Sequence, residues 1–120
     1  MSKNFKISII TVTKNSEKFL QDNIDSLKNQ SHQNFEHIIV DGASTDKTLE
    51  IIKNNSNRIT KWISEPDKGL YYAMNKGLKL CSGDIIGILN SDDVYFTEAL
   101  SIVNNYFQTD DIDFLFGSVF

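Results

Sequence analysis

The sequence predicts an α/β domain, a doubly wound and mostly parallel sheet with helices on both faces. Three observations carry that prediction. Short apolar runs rich in β-branched residues recur along the chain, stretches with apolar residues at helical spacing separate them, and the connections between are short and polar. With 120 residues, 40% of them hydrophobic and 23% charged, the composition is that of one globular domain and not of a disordered, collagenous or coiled-coil chain.

Each element follows from local chemistry. Lys6 to Val12 is a compact apolar run that stops at Lys14-Asn15-Ser16 and reads as a buried first strand. From Glu17 to about Asn29, Leu20, Ile24 and Leu27 recur at helical spacing, with Ser16 placed to cap the first turn. Phe35 to Val40 is a second buried strand ending at Asp41-Gly42, and Ser44-Thr45-Asp46 caps a helix whose inner face includes Leu49 and Ile52. A third strand, Thr60 to Ser64, ends before Pro66, which cannot donate to a ladder. A helix over about Leu70 to Leu80 sets Leu70, Met74, Gly77, Leu78 and Cys81 along one side, and Gly83 precedes the strand Ile85 to Leu89. Thr97 caps a last helix containing Leu100, Val103 and Phe107, and Ile112 to Phe120 reads as a fifth strand.

In such an architecture ligands bind beyond the carboxyl ends of the strands, where the strand order reverses. Three polar groups are predicted there: Thr11 to Asn15, Asp41 to Asp46, and Asn90-Ser91-Asp92-Asp93. Two adjacent carboxylates ending an apolar strand repel one another, and a cation or hydrogen-bond donors resolve that conflict, a divalent metal being the obvious candidate. Hard oxygen donors suit Mg²⁺ or Mn²⁺, which take one or two protein carboxylates and leave other positions to water and substrate phosphates. Alone, Asp92-Asp93 reads equally as a turn with a helix-capping aspartate, and Asp41-Gly42 as a β-to-α turn.

Taken together, Lys6 to Asn15, Ile38 to Asp46, Ser64-Glu65-Pro66-Asp67-Lys68-Gly69, Ala73-Met74-Asn75-Lys76-Gly77 and Gly83 to Asp93 resemble family 2 glycosyltransferases of the GT-A fold, bacterial polysaccharide enzymes in particular. The resemblance implies transfer, with inversion, from a nucleoside-diphosphate-sugar, a UDP-sugar above all, to a saccharide or lipid-linked acceptor. It implies a nucleotide site at Thr11, Thr13, Asn15, Asp41, Asp67, Lys68, Asn90 and Ser91, with Asp41 on the base. It implies a divalent metal, Mn²⁺ or Mg²⁺, on Asp92 with Asp93 as second ligand or support. Asn90 replaces the first aspartate of the family's Asp-x-Asp motif, and Tyr72 stands where an acidic residue is expected. The general base lies on a later segment in the family, so residues 1–120 read as the donor-binding portion of one GT-A domain, truncated at its carboxyl end, and no base is assigned.

Other classes are weighed against this. A net charge of -4 with scattered Lys and Arg excludes a nucleic-acid grip. One cysteine forms no internal disulfide, no signal-peptide core precedes the first strand, and no apolar run spans a bilayer, which predicts a cytoplasmic protein. Sequence beyond Phe120 could supply peripheral membrane association, and a sheet edge left open could favour a homo-oligomer. His32 and His37 lack the spacing of a zinc site, Cys81 has no partner for nucleophilic chemistry, and Trp62, Tyr71 and Tyr72 are read as packing residues. The rival to the enzyme is a non-catalytic nucleotide-binding or assembly module. A nucleotidyltransferase or phosphohydrolase is a third class, expected to lack the Asp41 to Asp46 and Asp67 to Gly69 motifs in this order.

Overall fold

The structure, a computed structural model, describes residues 3–108. Within them strands and helices alternate as β1 (Ile7–Thr13), α1 (Leu20–Lys28), β2 (Phe35–Asp41), α2 (Thr48–Asn54), β3 (Lys61–Ser64), α3 (Leu70–Leu80), β4 (Ile85–Ile88) and α4 (Ala99–Tyr106). The four strands make one parallel sheet in the order β3-β2-β1-β4. The predicted strand from Ile112 to Phe120 lies outside the described residues.

The central strands are covered on both faces, which is why β1 and β2 read as continuous apolar runs and not as alternating ones. Ile7 and Ile9 of β1 pack with Leu27, Ile85, Leu89 and Leu100, and Ile39 of β2 packs with Leu20, Ile24 and Ile52. That face carries α1, α2 and α4. The opposite face, with Val12, Ile38 and Val40, is covered by Ala73 of α3. The chain moves outward from β1 to β2 to β3 and then returns past them to β4. Right-handed crossovers place the helix of the returning step on the other face.

Small residues let α3 lie close. A Cβ on Gly77 would stand 2.7 Å from Cγ2 of Ile10, so the approach needs a residue without a side chain. The predicted inner face of α3 holds at Gly77 and is corrected at the leucines: Ala73 and Gly77 are buried, whereas Leu70 and Leu78 are 59% and 45% exposed. Two helical faces compete along this segment, and the close contact of the small pair outweighs the larger area that the leucines offer. Two predicted caps are also corrected. Neither Ser16 nor Thr97 caps a helix through its side chain; α1 and α4 begin after Phe19 and Glu98. The Ser16 hydroxyl accepts from Lys14 N–H and donates to Ser91 instead. Asp46 does serve its helix, since it accepts the N–H of Thr48 at 2.8 Å.

At the amino-terminal end of the sheet a buried carboxylate clamps α3 to β4. Glu36, 2% exposed, accepts the Ser8 hydroxyl at 2.6 Å, the Ser82 N–H at 2.6 Å and the Ser82 hydroxyl at 3.0 Å, with Lys6 Nζ 3.5 Å away. Burial opposes its ionisation, yet these donors and the lysine bring its pKa down to about 2. Of the residues set aside from chemistry, Tyr71 and Tyr72 are corrected, since they are 75% and 52% exposed and fill no core; the others have structural places. His37 is buried with Nε2 2.9 Å from the Thr11 hydroxyl, and burial holds its pKa down at about 4. His32 meets the Phe5 carbonyl, Trp62 packs beside Ile39 and Ile52, and the Cys81 thiol, raised by burial, faces the Gly77 carbonyl. Ile86 and Ile88, on the α3 side of β4, are exposed among the described residues.

Candidate functional site

The strand order reverses between β1 and β4, and the loops leaving these two strands meet there. A cleft of about 630 Å³ opens at this end of the sheet, lined by Thr13, Lys14 and Ser16 after β1, Gly42 and Ala43 after β2, Pro66, Asp67 and Gly69 after β3, and Ser91 after β4. The Ser16 hydroxyl bonds Ser91 Oγ at 3.0 Å, which joins the first and last of these loops. A cleft built from four strand ends therefore has walls fixed by one sheet.

Its floor is a polar rung. The register sets Thr13, Asp41 and Ser64 side by side on β1, β2 and β3. Asp41 Oδ1 accepts the hydroxyls of Thr13 and Ser44, both at 2.6 Å, and Oδ2 accepts the Ser44 N–H at 2.9 Å and the Ser64 hydroxyl at 2.8 Å. Burial opposes ionisation, but the bonds from Ser44, Thr13 and Ser64 outweigh it and hold the carboxyl below its usual range. Asp41 is fully buried and each of its oxygens already accepts twice. The oxygens that the resemblance assigns to the base are thus taken up by the chain's own donors, and Asp41 braces the floor of the cleft.

Two residues beside the cleft adopt left-handed backbone without being glycine, Asn15 at φ 49° and Ala43 at φ 58°. Such conformations persist where the surroundings impose them, and they gather at functional sites. The Asn15 side chain accepts the N–H groups of Thr45 and Asp46, so it knits the β1 loop to the β2 loop and does not line the cleft. Lys14 reaches across the same gap, donating from Nζ to the Gly42 carbonyl at 2.6 Å. Asp67 turns one oxygen to the Gly69 N–H at 3.0 Å, while its other lies where a Cβ on Gly42 would come within 3.0 Å of it.

The remaining expected residues separate into near and far. Ser91 lines the cleft, and Asn90 and Asp93 close the turn that carries it: Asp93 N–H donates to the Asn90 carbonyl at 3.0 Å and the Asn90 amide donates to Asp93 Oδ2 at 3.3 Å. Asp92, at the turn's tip, is exposed and its carboxylate makes no bond to a described residue. Thr11 is corrected: it is buried one rung below the floor, paired with His37, and does not reach the cleft. Lys68 points outward, its Nζ 6.0 Å from the ring centre of Tyr72, itself 52% exposed. Lys14, Gly42 and Ala43 fall within the predicted strand-end groups without a role of their own, and Ser16, expected only as a cap, lines the cleft as well. The strand-end position of Lys14 and the unusual Gly-Ala pair before Ser44 were the available signals.

The donor set bears on a metal. Among the described residues no three His, Cys, Asp or Glu side chains converge on one point. A resident all-protein cage is therefore not what the turn offers. One free and one neighbouring carboxylate on the turn whose Ser91 lines the cleft fits instead a Mg²⁺- or Mn²⁺-type ion completed by water and phosphate oxygens.

The chain is similar to known proteins. The chain is 39% identical over 103 residues to an uncharacterized glycosyltransferase of Haemophilus influenzae, covering 83% of this chain and 41% of that protein. It is 29% identical over 116 residues to the Escherichia coli UDP-Glc:alpha-D-GlcNAc-diphosphoundecaprenol beta-1,3-glucosyltransferase WfgD, covering 96% and 46%. It thus spans less than half the length of these relatives. The structure of S. aureus TarS 1-349 with UDP-GlcNAc is similar with a TM-score of 0.78 and 30% identity, over 84% of this chain and 30% of that one. Other structures of similar fold were solved in complex with Mn²⁺ and a nucleotide or nucleotide-sugar. The profile of Glycosyl transferase family 2 matches residues 8–120, and the chain belongs to that family.

Proposed function

We propose that the cleft binds the nucleoside diphosphate of a sugar donor, a UDP-sugar, and that the whole protein transfers the sugar with inversion to a saccharide or lipid-linked acceptor in surface-polysaccharide synthesis. The observation that carries the reading is the free carboxylate of Asp92 on a turn tied through Ser91 to the cleft at the sheet's switch point. The relatives' substrates support the donor class: TarS was solved with UDP-GlcNAc, and WfgD takes UDP-Glc and a diphosphoundecaprenol-linked acceptor.

Each residue then has a task. Asp67, with one oxygen free of Gly69 and turned to the cleft, accepts from the base or ribose in place of the saturated Asp41. The Lys14 ammonium and the Ser91 hydroxyl, which the Ser16 proton holds in place, offer donors along the path from base to diphosphate. Asp92, supported by Asp93, would hold a divalent ion. When bound, that ion offsets the charge that develops on the departing diphosphate. The acceptor hydroxyl attacks the anomeric carbon and gives its proton to a general base, which the family carries on a later segment, while the bond to the diphosphate breaks and the configuration inverts.

The test is calorimetric titration of the protein with UDP, GDP and NAD, each with and without Mn²⁺, repeated on Asp92→Asn. Metal-dependent binding of UDP that Asp92→Asn removes is the expected result. A folded protein that binds no nucleotide under either condition would overturn the reading in favour of a non-catalytic assembly module.

A further inference from the structure

Helix α1 carries a polar residue that hydrophobic patterning gives no reason to bury. Asn23 has no exposed surface, and it sits on the helix between Leu20, Ile24 and Leu27, which pack in the core. Its Nδ2 donates to the Asn90 carbonyl at 2.9 Å and to the Asp93 carbonyl at 3.1 Å. These are the first and last residues of the turn that presents Ser91 and Asp92, and the Asn90 carbonyl also receives the N–H of Asp93. One side-chain amide thus closes the base of the turn from beneath. Two facing carbonyls fix which end of the amide points to them, because the opposite orientation would set oxygen against oxygen.

The arrangement is a poor one for stability alone. Oδ1 of Asn23 is buried without a hydrogen-bond partner among the described residues, and an apolar side chain of similar size would leave no such acceptor. Further along the chain the contacts change character. The Ser26 hydroxyl accepts the Tyr95 N–H, and Gln30 bonds the Phe96 carbonyl and the Leu100 N–H, so both grip the segment leading into α4 and not the turn. Only Asn23 of these three touches the residues that flank Asp92.

We infer that Asn23 is a positioning residue for the divalent-ion carboxylates, holding the Asn90–Asp93 turn in the geometry that presents Asp92 to the cleft. The inference rests on the donor-site reading above. It assigns to α1, which lends no residue to the cleft, control of metal affinity. Residues that orient metal ligands without touching the metal typically change its affinity 10- to 100-fold when lost.

The test compares Asn23→Leu with Gln30→Met in the intact protein, reading Mn²⁺ affinity by electron paramagnetic resonance in saturating UDP, UDP affinity without metal, and melting temperature. Asn23→Leu should weaken Mn²⁺ by roughly tenfold or more while metal-free UDP binding changes by less than about twofold. Gln30→Met should lower the melting temperature and leave Mn²⁺ affinity within about twofold. Should Asn23→Leu fail to fold, Asn23→Ser, whose one short hydroxyl cannot span both carbonyls, carries the same comparison with a smaller expected loss. Mn²⁺ affinity that is unchanged in the folded Asn23 variant, or that falls in both variants in step with melting temperature, overturns the inference and leaves the donor site standing. A wild-type protein without metal-dependent UDP binding overturns both together.

Discussion

Asp41 ends the buried strand β2 and Asp92 stands on the turn after β4, and the two are opposite in state. Asp41 is enclosed, with four donors on its two oxygens; Asp92 is exposed, with none from the described residues. The difference teaches that a strand-end carboxylate is read by the donors already on it. A saturated one shapes the site, and an open one is free to bind. Glu36, at the other end of β2, is a second saturated carboxylate far from the cleft, so saturation also occurs where no ligand is expected.

The comparison breaks most visibly under the same substitution at both positions. Asp41→Asn sets an NH₂ donor against hydroxyl or N–H donors that lose their acceptor, and it should cost on the order of 3 kcal/mol, or about 10 °C or more in melting temperature. Asp92→Asn should move stability by less than about 0.5 kcal/mol while removing metal-dependent UDP binding. Thermal unfolding and titration of the two variants check this. A stable Asp41→Asn would mean that the rung is not what holds the floor.

Acid sharpens the contrast between the saturated groups. His37 keeps a depressed pKa of about 4 against an ordinary 6.5, so its contribution to stability is present above 6.5 and is lost as pH falls from there through 4. Glu36, at about 2 against 4.5, contributes above 4.5, and that contribution, roughly 3 kcal/mol, is lost as pH falls through 2. Stability should therefore decline in two stages on acidification, His37 first. Denaturant unfolding across pH 7 to 3 should show the upper stage flattened in His37→Gln, with the Glu36 stage retained. An upper stage that survives the substitution would assign it to another group.

Much of this was legible beforehand, and the limits have physical causes. The β-α alternation came through because β1 and β2 are buried on both faces and so read as unbroken apolar runs. The rim clusters came through because strand ends are where polar residues interrupt such runs. Which carboxylate was free did not, because the donors on Asp41 come from Thr13, Ser44 and Ser64 on separate segments, and only the sheet register brings them together. Nor did the burial of Asn23, since its partners lie 67 and 70 residues away. The face of α3 was misjudged because size suggested the leucines, whereas the space left by Ile10 admitted only a glycine.

The smallest expected effect probes the border between the fixed floor and the open cleft. Gly42 lies next to Asp41 in sequence and faces Asp67 across the cleft. A Cβ there would stand 3.0 Å from Asp67 Oδ2 and 3.4 Å from Lys14 Cδ, so both side chains would have to yield by a few tenths of an ångström. Gly42 has no left-handed backbone requirement among the described torsions, so the strain would fall on the neighbours and not on the fold. If Asp67 has replaced Asp41 as the group that meets the nucleotide, Gly42→Ala should weaken UDP binding by about fivefold, ~1 kcal/mol. Melting temperature should barely change, and the ratio of affinities with and without Mn²⁺ should hold, because Asp92 is untouched. Loss of stability without loss of affinity would instead extend the rigid floor to residue 42 and Asp67. An unchanged affinity with unchanged stability would free Asp67 from any contact with the nucleotide.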